Sequence, residues 1–145
     1  MWLTSIVAST HYLALGIGLG AIYARGRAIQ RSDLECIFFA DNFWGIAAVL
    51  WMASGVARAF LGLEKGTSWY INNPWFHVKI GLFGLVFALE LKPMITFLKW
   101  RGECRRGESP RLHPQIIEQL KRINDFELGI VLLIPFIASL MARYS

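Results

Sequence analysis

Thiols are scarce in this chain: Cys36 and Cys104 are its only cysteines. They form no CxxC pair, which excludes a metal or redox centre of that type, and both fall in segments read below as cytoplasmic, where thiols stay reduced. A P-loop, a GxSxG elbow, an HExxH helix and a dinucleotide fingerprint are all missing. Nucleotide, serine-hydrolase and zincin chemistry therefore have no footing here. No low-complexity tract and no internal repeat occurs. Without an inverted repeat or paired broken helices, a transporter or channel is a poor match. No Lys or Arg precedes the first apolar run. That run lacks the basic region of a cleaved signal peptide and reads as a retained span.

Apolar residues, by contrast, are abundant, at 55% of 145 residues, with six tryptophans. Four apolar windows stand out, roughly 3–24, 37–62, 74–98 and 120–142. Each approaches the ~20 residues that a helix needs to cross the hydrocarbon core. Four such windows in so short a chain argue against a soluble bundle. The expectation is an all-α integral membrane four-helix bundle, with residues 1–145 forming a single domain in a lipid bilayer. The net charge of +5 comes from residues between the spans, so it calls for no nucleic acid. Arg25, Arg27 and Arg31 lie at the first connection, and Lys99, Arg101, Arg105, Arg106, Arg111, Lys121 and Arg122 at the third. The second connection has Lys65 alone. The positive-inside rule then puts connections one and three in the cytoplasm and both termini outside, in a bacterial inner (cytoplasmic) membrane.

Within the first span, helical spacing aligns His11, Leu15, Gly18, Ile22 and Arg25 on one face. Gly16 and Gly20 lie round the other side at GxxxG spacing, a close-approach surface for use within the bundle or between protomers. The second span aligns Asp41, Trp44, Ala48, Trp51, Gly55 and Arg58. Trp44 and Arg58 suit interfacial anchoring, whereas Trp51 is central, either bundle core or a wall against a flat ligand. In "NPWFHVKIGLFGLVFALELKP", His77, Gly81 and Gly84 share a face, and Lys79 points ~200° away, towards the face of Glu90. One of His77 and Lys79 should face the bundle, and spacing alone leaves open which. Glu90, Asn124 and Glu127 belong to the inner half, where they should satisfy one another or nearby bases, a proton path being the alternative.

The helical rise puts His11 ~13 Å below the outer surface and His77 ~4 Å below it. Two histidines, a glycine groove, tryptophans and Arg58 make a candidate haem pocket. Neutral imidazole ligates iron, glycine leaves room for the macrocycle, and arginine pairs with a propionate. His11 and His77 are the candidate metal ligands, His11 first because it is deeper. Met52, near the depth of His11, is another candidate; a core histidine bonded to a hydroxyl or amide of the second span is the alternative for His11.

Three motifs add a family resemblance. His11 precedes "IYARGR", Lys79 occupies the lysine of a tryptophan-led third span in "PWFHVKIG", and "RINDFE" offers Arg122, Asn124 and Asp125 at the start of the fourth. Along nearly its whole length the chain resembles the HemJ-type membrane protoporphyrinogen oxidases. It lacks the W-x-A-G of their first span, and is more similar to their small bacterial relatives of the domain-of-unknown-function 2214 type. The resemblance implies a four-helix membrane redox protein that binds haem b. It would oxidise a porphyrinogen and pass electrons to quinone or the respiratory chain. His11, His77, Arg58 and Trp51 would bind the cofactor, and Lys79 would be catalytic, positioning a propionate or shuttling protons. The partners implied are a tetrapyrrole or quinone and a second copy of the chain, in a homo-oligomer. The alternative is a non-catalytic membrane subunit or assembly factor that holds a protein partner.

Overall fold

The computed structural model describes residues 2–63 and 65–144. Its helices are α1 (Trp2–Gln30), α2 (Leu34–Phe60), α3 (Thr67–Asn72), α4 (Pro74–Arg105) and α5 (Pro114–Arg143). All of these except α3 are long and apolar enough to cross a membrane. The protein is an all-helical, multi-pass membrane protein, as its composition leads one to expect.

Local chemistry sets the helix starts. Asp33 caps α2 by accepting the Cys36 N–H at 3.0 Å. That backbone N–H holds the Asp33 carboxyl below the usual carboxylate range. Asn73 caps α4 through the Trp75 N–H at 3.0 Å, and Pro74 follows at a position where a missing N–H costs nothing. Pro114 does the same for α5 after His113. Gly62, Gly66 and Gly107 adopt positive φ in the turns after α2 and α4, a conformation that side-chain-bearing residues resist.

The helices outrun the hydropathy windows on the basic side: α1 continues to Gln30, α4 to Arg105, and α5 begins at Pro114. Hydropathy marks the lipid boundary, whereas backbone hydrogen bonding carries a helix on into water. The short α3, absent from the apolar windows, covers the opposite end of the bundle. There Asn73 donates to the Met141 carbonyl at 3.1 Å, and Tyr70 packs with Ala59 and Met141.

Around the bundle, α1 packs against α2 and α5, and α5 against α4. Between α2 and α4 the backbones stand further apart, and side chains bridge the seam. Small residues let α1 and α2 approach closely: a Cβ on Gly18 would lie 3.2 Å from the Trp44 ring. Gly16 and Gly20 face outwards, and a Cβ on either would meet nothing within 4 Å. Their close-approach surface therefore does not serve the inside of the bundle. The apolar core has a central part around Ile22, Trp44, Trp51 and Val131 and an inner part around Ile29, Ile37, Phe97 and Leu120. The outer faces carry exposed Leu13, Ile46, Val49, Phe87 and Phe136. In a bilayer these meet lipid tails.

Candidate functional site

His11 on α1 points into α2, where Gly55 makes room for the ring: a Cβ there would lie 3.2 Å from His11 Cε1. The side chain is buried. Its Nδ1 lies 2.9 Å from Ser54 Oγ and 3.1 Å from the Trp51 carbonyl, and its Nε2 lies 3.1 Å from Trp51 Nε1. An indole nitrogen can only donate, so Nε2 must accept. The proton is thereby assigned to Nδ1, which donates to the carbonyl and the hydroxyl. The Ser54 hydroxyl in turn donates to the Leu50 carbonyl at 2.6 Å. His11 is thus a neutral imidazole with a fixed tautomer, held by a hydroxyl of the second span.

Beside it, a cavity opens in two adjoining lobes that share His11, Trp51, Gly55 and Lys79. One, of about 330 Å³, reaches towards α5 and the end that α3 covers, and is lined by Arg58 and Lys65. The other, of about 480 Å³, runs along the seam between α2 and α4. Its walls include Met52, Val56, Ile80, Phe83 and Gly84. Such volumes fall within the range of small-molecule sites. Trp51 stacks on Phe83 with ring centres 4.6 Å apart, and the Arg58 guanidinium lies 5.6 Å from the Tyr12 ring centre. The cavity is therefore apolar along its body, with Arg58 and Lys65 at the end that α3 covers.

Of the residues singled out from the sequence, His11, Trp51, Arg58 and Lys79 line this cavity, and Met52, Gly55 and Gly84 line it with them. His77 does not join them. It is exposed, and its Nε2 lies 2.8 Å from the Ile71 carbonyl, which it serves as a donor. His77 thus ties the start of α4 to the end of α3. The two histidines are not brought together, and of His77 and Lys79 it is the lysine that faces inwards. The hydroxyl of the second span expected as an alternative partner for His11 is Ser54, the only Ser or Thr in that span. Phe83 escaped the sequence reading, as one phenylalanine among ten.

A second polar constellation lies towards the basic end. Arg25, 0% exposed, donates from Nε to Asn124 Oδ1 at 2.8 Å and from Nη1 to Asp41 at 3.0 Å. Glu90 receives both of its terminal nitrogens, at 2.7 and 2.9 Å, and Glu127 Oε2 accepts from Nη2 at 2.6 Å. Trp44 Nε1 donates to Glu90 at 3.1 Å, and Arg101 to Asp41 at 3.1 Å. Asn124 also donates to the Ile22 carbonyl at 3.0 Å. Glu90, Asn124 and Glu127 thus meet a common base, and Arg25 reaches them because it shares the buried face of His11. Among the described residues, no group of three or more His, Cys, Asp or Glu side chains is arranged to hold a metal ion.

No curated protein and no solved structure is significantly similar to the chain. Residues 3–144 match the family described as "Predicted membrane protein (DUF2214)", and with that match over almost its whole length the chain, with its four apolar helices long enough to span a membrane, belongs to this family.

Proposed function

We propose that the cavity around His11 binds a planar, anionic tetrapyrrole, with haem b as the form that His11 can ligate. The protein would then be a redox protein of the bacterial inner membrane. A porphyrinogen would be its substrate, and quinone or the respiratory chain would accept the electrons. The observation that carries this reading is the state of His11: a neutral imidazole on a cavity wall, with its Nδ1–H anchored to Ser54 and the Trp51 carbonyl. Anchoring of that kind orients metal-ligating histidines and raises their basicity. Haem, when bound, would supply one-electron chemistry.

The donor set fits one axial bond. In this conformation Nε2 accepts the Trp51 indole N–H at 3.1 Å, so ligation requires that hydrogen bond to open. Met52 lines the seam lobe and offers a thioether. Arg58 and Lys79 line the cavity where they would pair with carboxylates of a bound ligand, and Val56, Ile80 and Phe83 would lie along its apolar body. Lys79 is then a positioning or proton-carrying residue.

One observation favours a second reading. Both ring nitrogens of His11 already have partners within the bundle, as a structural histidine would. The protein would then be a non-catalytic subunit or assembly factor, with the open Gly16 and Gly20 face meeting a protein partner. Titration of the detergent-purified protein with metal-free protoporphyrin, read by quenching of tryptophan fluorescence, separates the two. Saturable quenching, weakened about tenfold (~1.4 kcal/mol) in both Arg58→Gln and Lys79→Gln, supports the ligand site. Quenching that never saturates supports the subunit.

A further inference from the structure

The constellation around Arg25 does not balance its charge. Two guanidiniums, Arg25 on α1 and Arg101 on α4, face three carboxyls: Asp41 on α2, Glu90 on α4 and Glu127 on α5. The remaining nearby polar groups, Asn124 and Trp44, are neutral. Lys92 and Lys121 turn outwards to Gln119 and Asp125 and contribute nothing to this sum. With every group ionised, one negative charge would be left over. The side chains of Arg25 and Glu127 are 0% exposed, and those of Asp41 and Glu90 only 20%. An uncompensated carboxylate in such a place costs more than taking a proton from neutral water.

A second observation locates the excess. Glu127 Oε1 is the one buried side-chain nitrogen or oxygen without a hydrogen-bond partner among the described residues. The other oxygen, Oε2, shares Arg25 Nη2 with Glu90 Oε2, at 2.6 and 2.9 Å. Two carboxyls that share one donor nitrogen repel each other when both are charged. A carboxylate oxygen can only accept, so a proton on Oε1 turns an orphan acceptor into a donor.

We propose that the Arg25 cluster is a proton-binding site, in which Glu127 Oε1 holds one proton and offers it to Glu90, leaving the cluster neutral. The cluster is not sealed off: Asp41 and Glu90 are each 20% exposed, and Asp41 also accepts from Arg101 of the basic third connection. The step is a proton transfer: an O–H bond of hydronium breaks and leaves water, an O–H bond forms at Glu127 Oε1, and no oxidation state changes. It does not rest on the reading of His11.

The test is infrared spectroscopy of the full-length protein in vesicles of zwitterionic lipid, in H2O and D2O near neutral pH. The wild type should show a carboxylic-acid C=O band that shifts on deuteration, and Glu127→Gln should lack it. In Glu90→Gln two guanidiniums face two carboxyls, so the band should vanish although Glu127 is present. Circular dichroism checks that each variant is folded. No such band in the wild type would overturn the proposal, as would an undiminished band in Glu127→Gln or in Glu90→Gln. A missing band together with stabilisation by sodium chloride over choline chloride would overturn it in favour of a bound cation.

Discussion

Replacing Arg25 by Met should be among the most damaging single changes in the protein. Arg25 makes five hydrogen bonds to four partners on three other helices, and its side chain is fully buried. Methionine fills much of the same volume, so the loss is electrostatic rather than steric. It would leave Glu90 and Glu127 facing each other without a base, with Arg101 alone opposite Asp41. Removing one partner of a buried ion pair costs about 3–5 kcal/mol. At roughly 2–4 °C per kcal/mol for chains of this size, the melting temperature should fall by about 10 °C. The assay is thermal unfolding of the detergent-purified protein, followed by circular dichroism. The combined variant Arg25→Met, Glu90→Gln, Glu127→Gln removes the orphaned acids and should recover at least half of the loss. An Arg25→Met protein that melts within about 2 °C of wild type would refute the reasoning, because such a buried charge cannot be removed cheaply.

Four further outcomes are expected. Gly18→Leu should destabilise by about 1–3 kcal/mol, because a Cβ there already comes within 3.2 Å of the Trp44 ring. Gly16→Leu should leave the melting temperature alone, since that face is open, while lowering the mass of a homo-oligomer in light scattering; unchanged mass would remove this face from assembly. Reporter fusions after residues 32 and 108 should both read cytoplasmic, and a periplasmic reading at either would reverse the orientation. Asp33→Asn should melt lower than wild type at neutral pH, because the Cys36 N–H lowers the Asp33 pKa in the folded protein. A carboxyl with a lowered folded pKa contributes fully above its unfolded value of about 4 and loses that contribution as pH falls through the folded value. The gap between the two proteins should therefore close on acidification; a gap that persists would exclude the charge as its cause.

The spans were legible because lipid forces each helix to be long and apolar; the Asp33 cap that starts α2 emerged only from the structure. The site was legible only in part. Periodicity put His11 and Arg25 on one buried face and Trp51 with Gly55 on another, and the fold sets those faces together. It left His77 and Lys79 undecided, because a ~200° separation says that they diverge, not which one the neighbouring helices receive. The meeting of Arg25 with Asp41, Glu90 and Glu127 spans residues far apart in sequence, and no local pattern encodes it. Ser54, the only hydroxyl of the second span, was legible as a partner for His11, whereas Phe83 was hidden because its place against Trp51 comes from α4 facing α2.

Absorbance spectroscopy with haemin is the sharpest test of the proposed tetrapyrrole site at His11. Haemin titrated into the purified wild-type protein should give a saturable Soret band that shifts on reduction with dithionite. His11→Ala should lose that band, while His77→Ala, whose ring serves the Ile71 carbonyl outside the cavity, should keep it. A wild type that shows no saturable band, or a His11→Ala protein with full haem occupancy, would contradict the account.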